Sequence, residues 1–506
     1  MKYLKILSVV IFISIISLSF RTGSLIIDHP IIEDAYYTFS IAKNIANNNG
    51  ITADGENLTN GFQPLYTFLI IPAFAVTNND YLSIRIIFIL LLLIFISSAY
   101  LFASIIRDAF SELLGVGKNE LFGIAYSIYI SSLLFLINYL NGLETGLLIL
   151  SFLLFIRFYQ KSQILNFKNI TVLGIILGLM VLIRIDTVYF VIVFSISLFF
   201  RKEITLKTRL IYVITICIVS FLISSPWWFY NYYYFNSLMP TSGQAQFEFG
   251  IFFSRLFYLS DAWVQNLTPF TYTFDRFLHG WISVIIRLII IGAMSYYLKK
   301  YFKGIIKNTS KSNKLSERTY QIISVIFVYS LILTIWYFFF SSAGHFYLRY
   351  LISLSIIGQI FFVIFVTIIY RKFKKIFYFI LTAFALLILG VVILFHTELM
   401  LNKSQFFKYQ LQLVNKYVPK TEYVGAGQSG TLGFFRNHVV NLDGKVNNEA
   451  LKYKEKIYDY LDKKNINWLC DWKFYTEQFL GPEHEKRGWK LVSRYYDFYL
   501  YHKSTE

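Results

Sequence analysis

Residues 64–77 read PLYTFLIIPAFAVT, and whether this run crosses a membrane fixes the side on which every later segment lies. A spanning helix needs roughly 20 apolar residues. This run is shorter and carries Pro72 within it, where the missing backbone donor interrupts a helix. The basic residues decide the matter, because Lys and Arg in short loops stay on the cytoplasmic side. If 64–77 does not cross, the N-terminus and the loops 107–120, 160–168, 201–209, 299–318 and 371–375 are cytoplasmic and hold 21 Lys and Arg residues. The opposite connections before the tail then hold mainly Arg21, Lys43, Arg184, Arg255, Arg276 and Arg349. If it did cross, RKEITLKTR (201–209) and RKFKK (371–375) would lie outside. The segment is therefore read as a re-entrant or surface-lying piece on the outer face.

The rest of the chain fits this reading. Of 506 residues, 56% are hydrophobic and only 15% charged, against about a quarter charged in a water-soluble domain. Most of its surface must face lipid. The net charge of +18 would suit nucleic acid, but the basic residues sit in short clusters between apolar runs, so they act as orientation signals and no nucleic-acid partner is expected. Eleven runs are long enough to span: 4–20, 84–106, 121–140, 143–159, 169–183, 187–200, 210–226, 281–298, 319–340, 350–370 and 376–395. The first is read as uncleaved, since no A-x-A-like site follows Phe20 and Arg21 comes next. Cys217 and Cys470 lie in unrelated contexts and imply no disulfide framework. The predicted fold is a multi-pass α-helical membrane module over residues 1–395, with external loops 21–83 and 227–280. A small extracytoplasmic α/β domain follows over 396–506. The N-terminus is cytoplasmic and the C-terminal domain is outside the plasma membrane.

Polar chemistry collects on the outer side. In loop 21–63 the apolar residues Ala35, Phe39, Ala42 and Ile45 recur at helical spacing, predicting an amphipathic helix over 33–48 lying on the interface, closed by Asn47-Asn48-Asn49-Gly50. Glu33 and Asp34 open it, where the helix dipole favours carboxylates; they serve as caps or as catalytic groups. Glu144 lies between the third and fourth runs, Arg184 and Asp186 in a tight turn between the fifth and sixth, and His345 and Arg349 before the tenth. Charges at membrane depth mark functional sites or internal pairs. A local Arg184–Asp186 salt bridge and a snorkelling Arg349 are the plainer alternatives. Segment 226–246 adds dense aromatic rings beside Asn231, Asn236, Ser242, Gln244 and Gln246, which make a membrane belt or a sugar site. Gly425, Gly427 and Gly430 imitate a dinucleotide fingerprint, but the domain is too short for one, and a tight strand–helix turn explains them better.

The strings EDAYYTFSIAKNIANNNG…TNGFQPLYTFL (33–69), NGLETG (141–146), LIRID (182–186), the 226–243 segment and VGAGQSGTLGFF…VVNLDGKVN (424–447) resemble the bacterial polytopic glycosyltransferases of the GT-C fold, related to the protein mannosyltransferase and arabinosyltransferase groups. The resemblance implies transfer of a sugar from a polyprenyl-phosphate donor to a cell-envelope glycan, lipid or protein on the outer face. It implies an acidic general base in the first external loop, Asp34 or Glu33, with Asp34 favoured. Asn60, Gln63, Glu144, Arg184, Asp186, Asn231, His345 and Arg349 are the candidate substrate-binding residues, with Arg184, Arg349 and His345 placed to meet the leaving phosphate. Relatives differ in using a divalent metal, and no ligand spacing here decides it; no other cofactor is implied. Independently, nucleotide sugars are cytoplasmic, and the longest cytoplasmic loop, 299–318, is too short to bind one. The rival reading is a transporter or flippase, but these place binding groups at mid-membrane and often show internal repeats. Here the charges gather toward one face and no repeat is found.

Overall fold

A computed structural model describes residues 2–162, 166–201, 204–276, 280–306, 314–397 and 406–504. Parts of the expected loops 160–168, 201–209 and 299–318, and the junction just after 395, lie outside the described residues. Six helices are long and apolar enough to cross a membrane: Asp80–Leu114, Leu206–Phe235, Gly280–Lys300, Glu317–Phe340, Ser353–Lys372 and Lys374–Thr397. Lys118–Ile130 and Leu133–Leu140, bent by 61° to one another, form either a broken seventh span or a re-entrant loop. The chain is a multi-pass helical membrane protein, but among the described residues eleven full-length spans are not reproduced. The reason is local. Ile6–Phe20, Phe167–Ile183 and Ile185–Phe199 are shorter apolar helices, and extended backbone at Arg184 separates the last two.

Pro64–Ala75 is a 12-residue helix, about 18 Å long at the usual rise. It starts beside the 141–146 turn, where the Tyr66 hydroxyl donates to the Gly142 carbonyl at 2.7 Å. The chain leaving it reaches Asp80, whose carboxylate pairs with Lys43 of the first loop at 2.8 Å. The segment therefore enters and leaves at one end of the bundle. At the opposite end the basic clusters meet: Arg157 pairs with Asp108 at 2.7 Å, Arg318 donates to the Tyr159 carbonyl and Arg371 to that of Leu114. Small residues let helices close up, as membrane packing favours. A methyl group on Gly178 would meet the Ser220 carbonyl oxygen at 2.8 Å, so Phe167–Ile183 and Leu206–Phe235 touch backbone to backbone there.

The C-terminal residues form a five-stranded sheet, β1 (Val424–Ala426), β2 (Val439–Asn441), β3 (Trp468–Trp472), β4 (Trp489–Tyr495) and β5 (Phe498–Lys503), in the order β2-β1-β3-β5-β4. β1 is parallel to β2 and β3, and β5 is antiparallel to β3 and β4. The turn and helix that follow β1 pack on helix Glu33–Ala46, whose Tyr37 hydroxyl donates to the Gly427 carbonyl at 2.8 Å. The expected apolar stripe is present, with Ala35, Phe39 and Ala42 fully buried. The helix's other face is covered too, because Phe434 and Phe435 from helix Gly430–Phe435 pack on Tyr36.

Candidate active site

Helix Glu33–Ala46 begins with the acidic pair, and the two carboxylates turn to different partners. Glu33 is buried against the C-terminal domain, where the Thr431 backbone N–H donates to it at 3.0 Å and the Thr431 hydroxyl donates to its other oxygen. Gly430 lies so close that an added Cβ would stand 2.5 Å from the Glu33 carbonyl oxygen. This close approach, rather than a nucleotide, requires a glycine in the GAGQSG turn. Gly427 likewise donates its N–H to the buried Asp471 at 2.6 Å. Burial drives the Glu33 carboxyl up to about 8, and the neighbouring Asp34 adds to the rise. That rise favours the neutral acid at neutral pH, and the Thr431 contacts tie Glu33 to the C-terminal domain.

A raised carboxyl contributes stability that is complete below 4.5, its ordinary value, and is lost as pH passes about 8. Glu33→Gln, neutral at every pH, is expected to keep most of the activity. It should also flatten the fall in thermal unfolding temperature that the wild type shows above about pH 8. Loss of activity equal to that of an Asp34 variant would show that Glu33 does chemistry.

Asp34 faces a cluster of cations. Lys445 Nζ stands 3.4 Å from Oδ1, and Arg349 Nη2 stands 3.6 Å from Oδ2. Burial alone would raise this carboxyl, but Lys445, and then Arg349, outweigh it and hold Asp34 below its ordinary value. Lys445 is itself kept protonated: burial pulls its ammonium down, while Asp34 and Asp443, the latter at 3.2 Å, push it well above the usual lysine value. A methyl group on Gly61 of the NGFQPL segment would overlap the Lys445 carbonyl oxygen, so the first loop grips the C-terminal domain by its backbone at this point.

Arg349 lies in the one-turn helix Tyr347–Tyr350, its guanidinium 4.7 Å from the Phe346 ring centroid. Its Nε and Nη1 are buried with no hydrogen-bond partner among the described residues. Unpaired buried donors are costly, and a charged fork of this kind matches a phosphate or carboxylate. Arg184 is the opposite case. It is buried between Glu144 at 3.0 Å and Asp186 at 2.6 Å, the Tyr337 hydroxyl donates to Asp186 at 2.6 Å, and the guanidinium rests 4.6 Å from the Tyr350 ring centroid. Its charge is taken up by protein carboxylates.

Two cavities meet at Asp34. A larger one of about 890 Å³ runs under the C-terminal domain and includes Asp28, Glu33, Asp34, His345, Asp443 and Lys445 in its wall. A smaller one of about 200 Å³ holds Asp34, Gln63, Glu144, Arg184, Asp186 and Arg349. Of the sequence-predicted residues, His345 is exposed on the rim of the larger cavity. Asn60 and Asn231 line neither: Asn60 accepts from the Thr241 N–H at 3.0 Å and from its hydroxyl, and Asn231 is fully buried, its amide 3.5 Å from the Leu238 carbonyl. Both brace the 237–246 segment. Lys445 was missed; it stands in the VVNLDGKVN string, but nothing local marks it as facing Asp34. Among the described residues no three His, Cys, Asp or Glu side chains come together as a metal site requires. The positive charge beside Asp34 comes from Lys445 and Arg349.

Among solved structures, the chain is similar along its whole length to ArnT from Cupriavidus metallidurans bound to undecaprenyl phosphate, with a TM-score of 0.57, 9% identity and coverage of 100% of this chain and 98% of that one. The chain has the ArnT fold. It is the GT-C architecture that the sequence resemblance implied. ArnT in the apo state also matches, at a TM-score of 0.49 and 11% identity over 99% of this chain and 97% of that one. No family model matches the chain, and no curated protein matches it. The ArnT fold is thus formed here by a sequence only 9% identical to that structure's.

Proposed function

We propose that this protein is an integral-membrane glycosyltransferase that moves a sugar from a polyprenyl-phosphate donor to a cell-envelope acceptor on the outer face. The observation that carries the reading is the pairing of an ionised Asp34 with an Arg349 whose other donors are unfilled, at the junction of two cavities. An acceptor hydroxyl entering the larger cavity gives its proton to Asp34 as it attacks the anomeric carbon. The bond from that carbon to the phosphate oxygen breaks as the new glycosidic bond forms, with inversion by direct displacement. Polyprenyl phosphate leaves, and the charge growing on it is met by Arg349 from the smaller cavity, with Lys445 nearby.

A third cavity suits the carrier's tail. It is an apolar groove of about 590 Å³ lined by Val181, Val191, Phe221, Trp228, Tyr232 and Leu238. Leu238 is followed directly by Met239 in the wall of the small cavity, so a prenyl chain in the groove would deliver its phosphate toward Arg349. ArnT with undecaprenyl phosphate bound provides the precedent of a lipid phosphate on this fold. Reporter fusions after residues 205 and 375 are expected to read cytoplasm, and one after 420 to read outside. The reverse result would turn the site toward cytoplasmic nucleotide sugars and refute a lipid-linked donor.

A further inference from the structure

We infer that the acceptor is a carbohydrate chain, bound in the 890 Å³ cavity against an aromatic platform of Trp472, Phe474 and Tyr475 from the C-terminal domain. The inference rests on the glycosyltransferase reading and names its acceptor. Trp472 ends β3, and the helix Lys473–Leu480 that follows at once carries the other two rings. The Trp472 and Tyr475 rings stack with centroids 6.2 Å apart and planes 23° from parallel, and Tyr475 stacks in turn on Phe479 at 5.8 Å. Phe474 is 71% exposed. All four rings stand in the cavity wall. The same cavity wall includes Gln246, Gln428, Gln478 and Asp443.

A wall that combines rings with amides and a carboxylate fits the surface of a pyranose, whose C–H face is apolar and whose rim is made of hydroxyls. Burying the face on a ring gains hydrophobic free energy, and the amides pair with the rim. The groove at Trp228 differs: Cys217, Ser220 and Ser224 are its small polar residues and no charged side chain lines it, as suits a lipid tail. The large cavity has apolar residues too, among them Ile27, Ile32 and Ile457, but charged side chains share its wall, including Asp28, Asp443, Lys445 and Lys454. Its volume is at the upper end of the ~300–1,000 Å³ usual for ligand sites, enough for several sugar units leading to Asp34. The inner end is set for chemistry and the outer end, on the C-terminal domain, for recognition.

The test uses the full-length protein in lipid nanodiscs and two titrations: undecaprenyl phosphate, and a panel of linear neutral oligosaccharides of two to four residues followed by saturation-transfer NMR. Wild type is expected to bind a member of the panel. Trp472→Ala and Phe474→Ala should each weaken that binding about tenfold by losing one apolar sugar contact, Trp472→Phe should restore it, and undecaprenyl phosphate binding should be unchanged in all three. Phe474 is exposed, so its variant keeps the fold and its result stands if Trp472→Ala does not. Failure of every oligosaccharide to bind wild type, or undiminished binding by both alanine variants, overturns the carbohydrate acceptor while leaving the lipid donor intact. Preferential binding of a lipid or a peptide in the same cavity would also overturn it. Failure of wild type to bind undecaprenyl phosphate would instead strike the glycosyltransferase reading itself.

Discussion

Asp34→Asn is expected to abolish sugar transfer, lowering turnover by about 10²–10⁴-fold, the usual contribution of a positioned general base. The amide keeps the volume and can still accept from Lys445, which also retains Asp443 at 3.2 Å, so insertion and undecaprenyl phosphate binding should survive. Only proton removal from the acceptor is lost. Full activity in this variant would move the base elsewhere. The same geometry fixes the pH response. Asp34 is held below its ordinary value because Lys445 and Arg349 outweigh the effect of burial, so it stays charged through neutrality and activity should fall only on strong acidification. Lys445→Met removes the nearer cation, and the acidic limb of the rate profile should move upward. A profile that does not shift would mean that Lys445 acts only as a strut.

Arg349→Gln is expected to lower turnover by about 10²–10³-fold, as loss of one preorganised donor to a developing anion does, and to weaken undecaprenyl phosphate binding with little change in thermal unfolding. The last part follows from its environment. Its Nε and Nη1 bond to nothing among the described residues, so removal leaves no protein donor or acceptor newly orphaned apart from the loosened contact to Asp34. Arg184→Gln should behave in the opposite way. It strips the shared counter-charge from Glu144 and Asp186, and breaking a buried pair in this manner costs about 3–5 kcal/mol. Its primary defect should be folding. Equal loss of lipid binding in the two variants would show that the phosphate bridges both arginines.

The contrast between these two arginines marks the limit of what the residues alone reveal. Both were legible as cations at the same face of the membrane, because charge between apolar runs is conspicuous and hydropathy places it. Arg184 pairs with Asp186 two residues on, the plainer of the sequence alternatives, but also with Glu144, 40 residues away, and no local pattern encodes that second meeting. The acidic pair is legible at the start of its helix for the same reason, yet the separation of Glu33 from Asp34 needs the Thr431 contact, 398 residues away. Lys445 could not be found at all: an ordinary lysine after a short strand, it gains meaning from a carboxylate 411 residues earlier. The helices were legible as apolar runs, but their count was not, since a 61° bend after Ile130 and the break at Arg184 are decided by packing. Asn60 and Asn231 carry amides suited to a sugar, and each has one amide atom turned to the 237–246 segment, a contact no local pattern announces.

The Asp34 carboxylate and its ammonium neighbour Lys445 stand 411 residues apart in the polypeptide. During translation the first emerges early and inserts with the opening helices, whereas the second waits until nearly all of the chain has left the ribosome. Until then a nascent or truncated product carries a carboxylate without its tuning cation and a cavity without its roof.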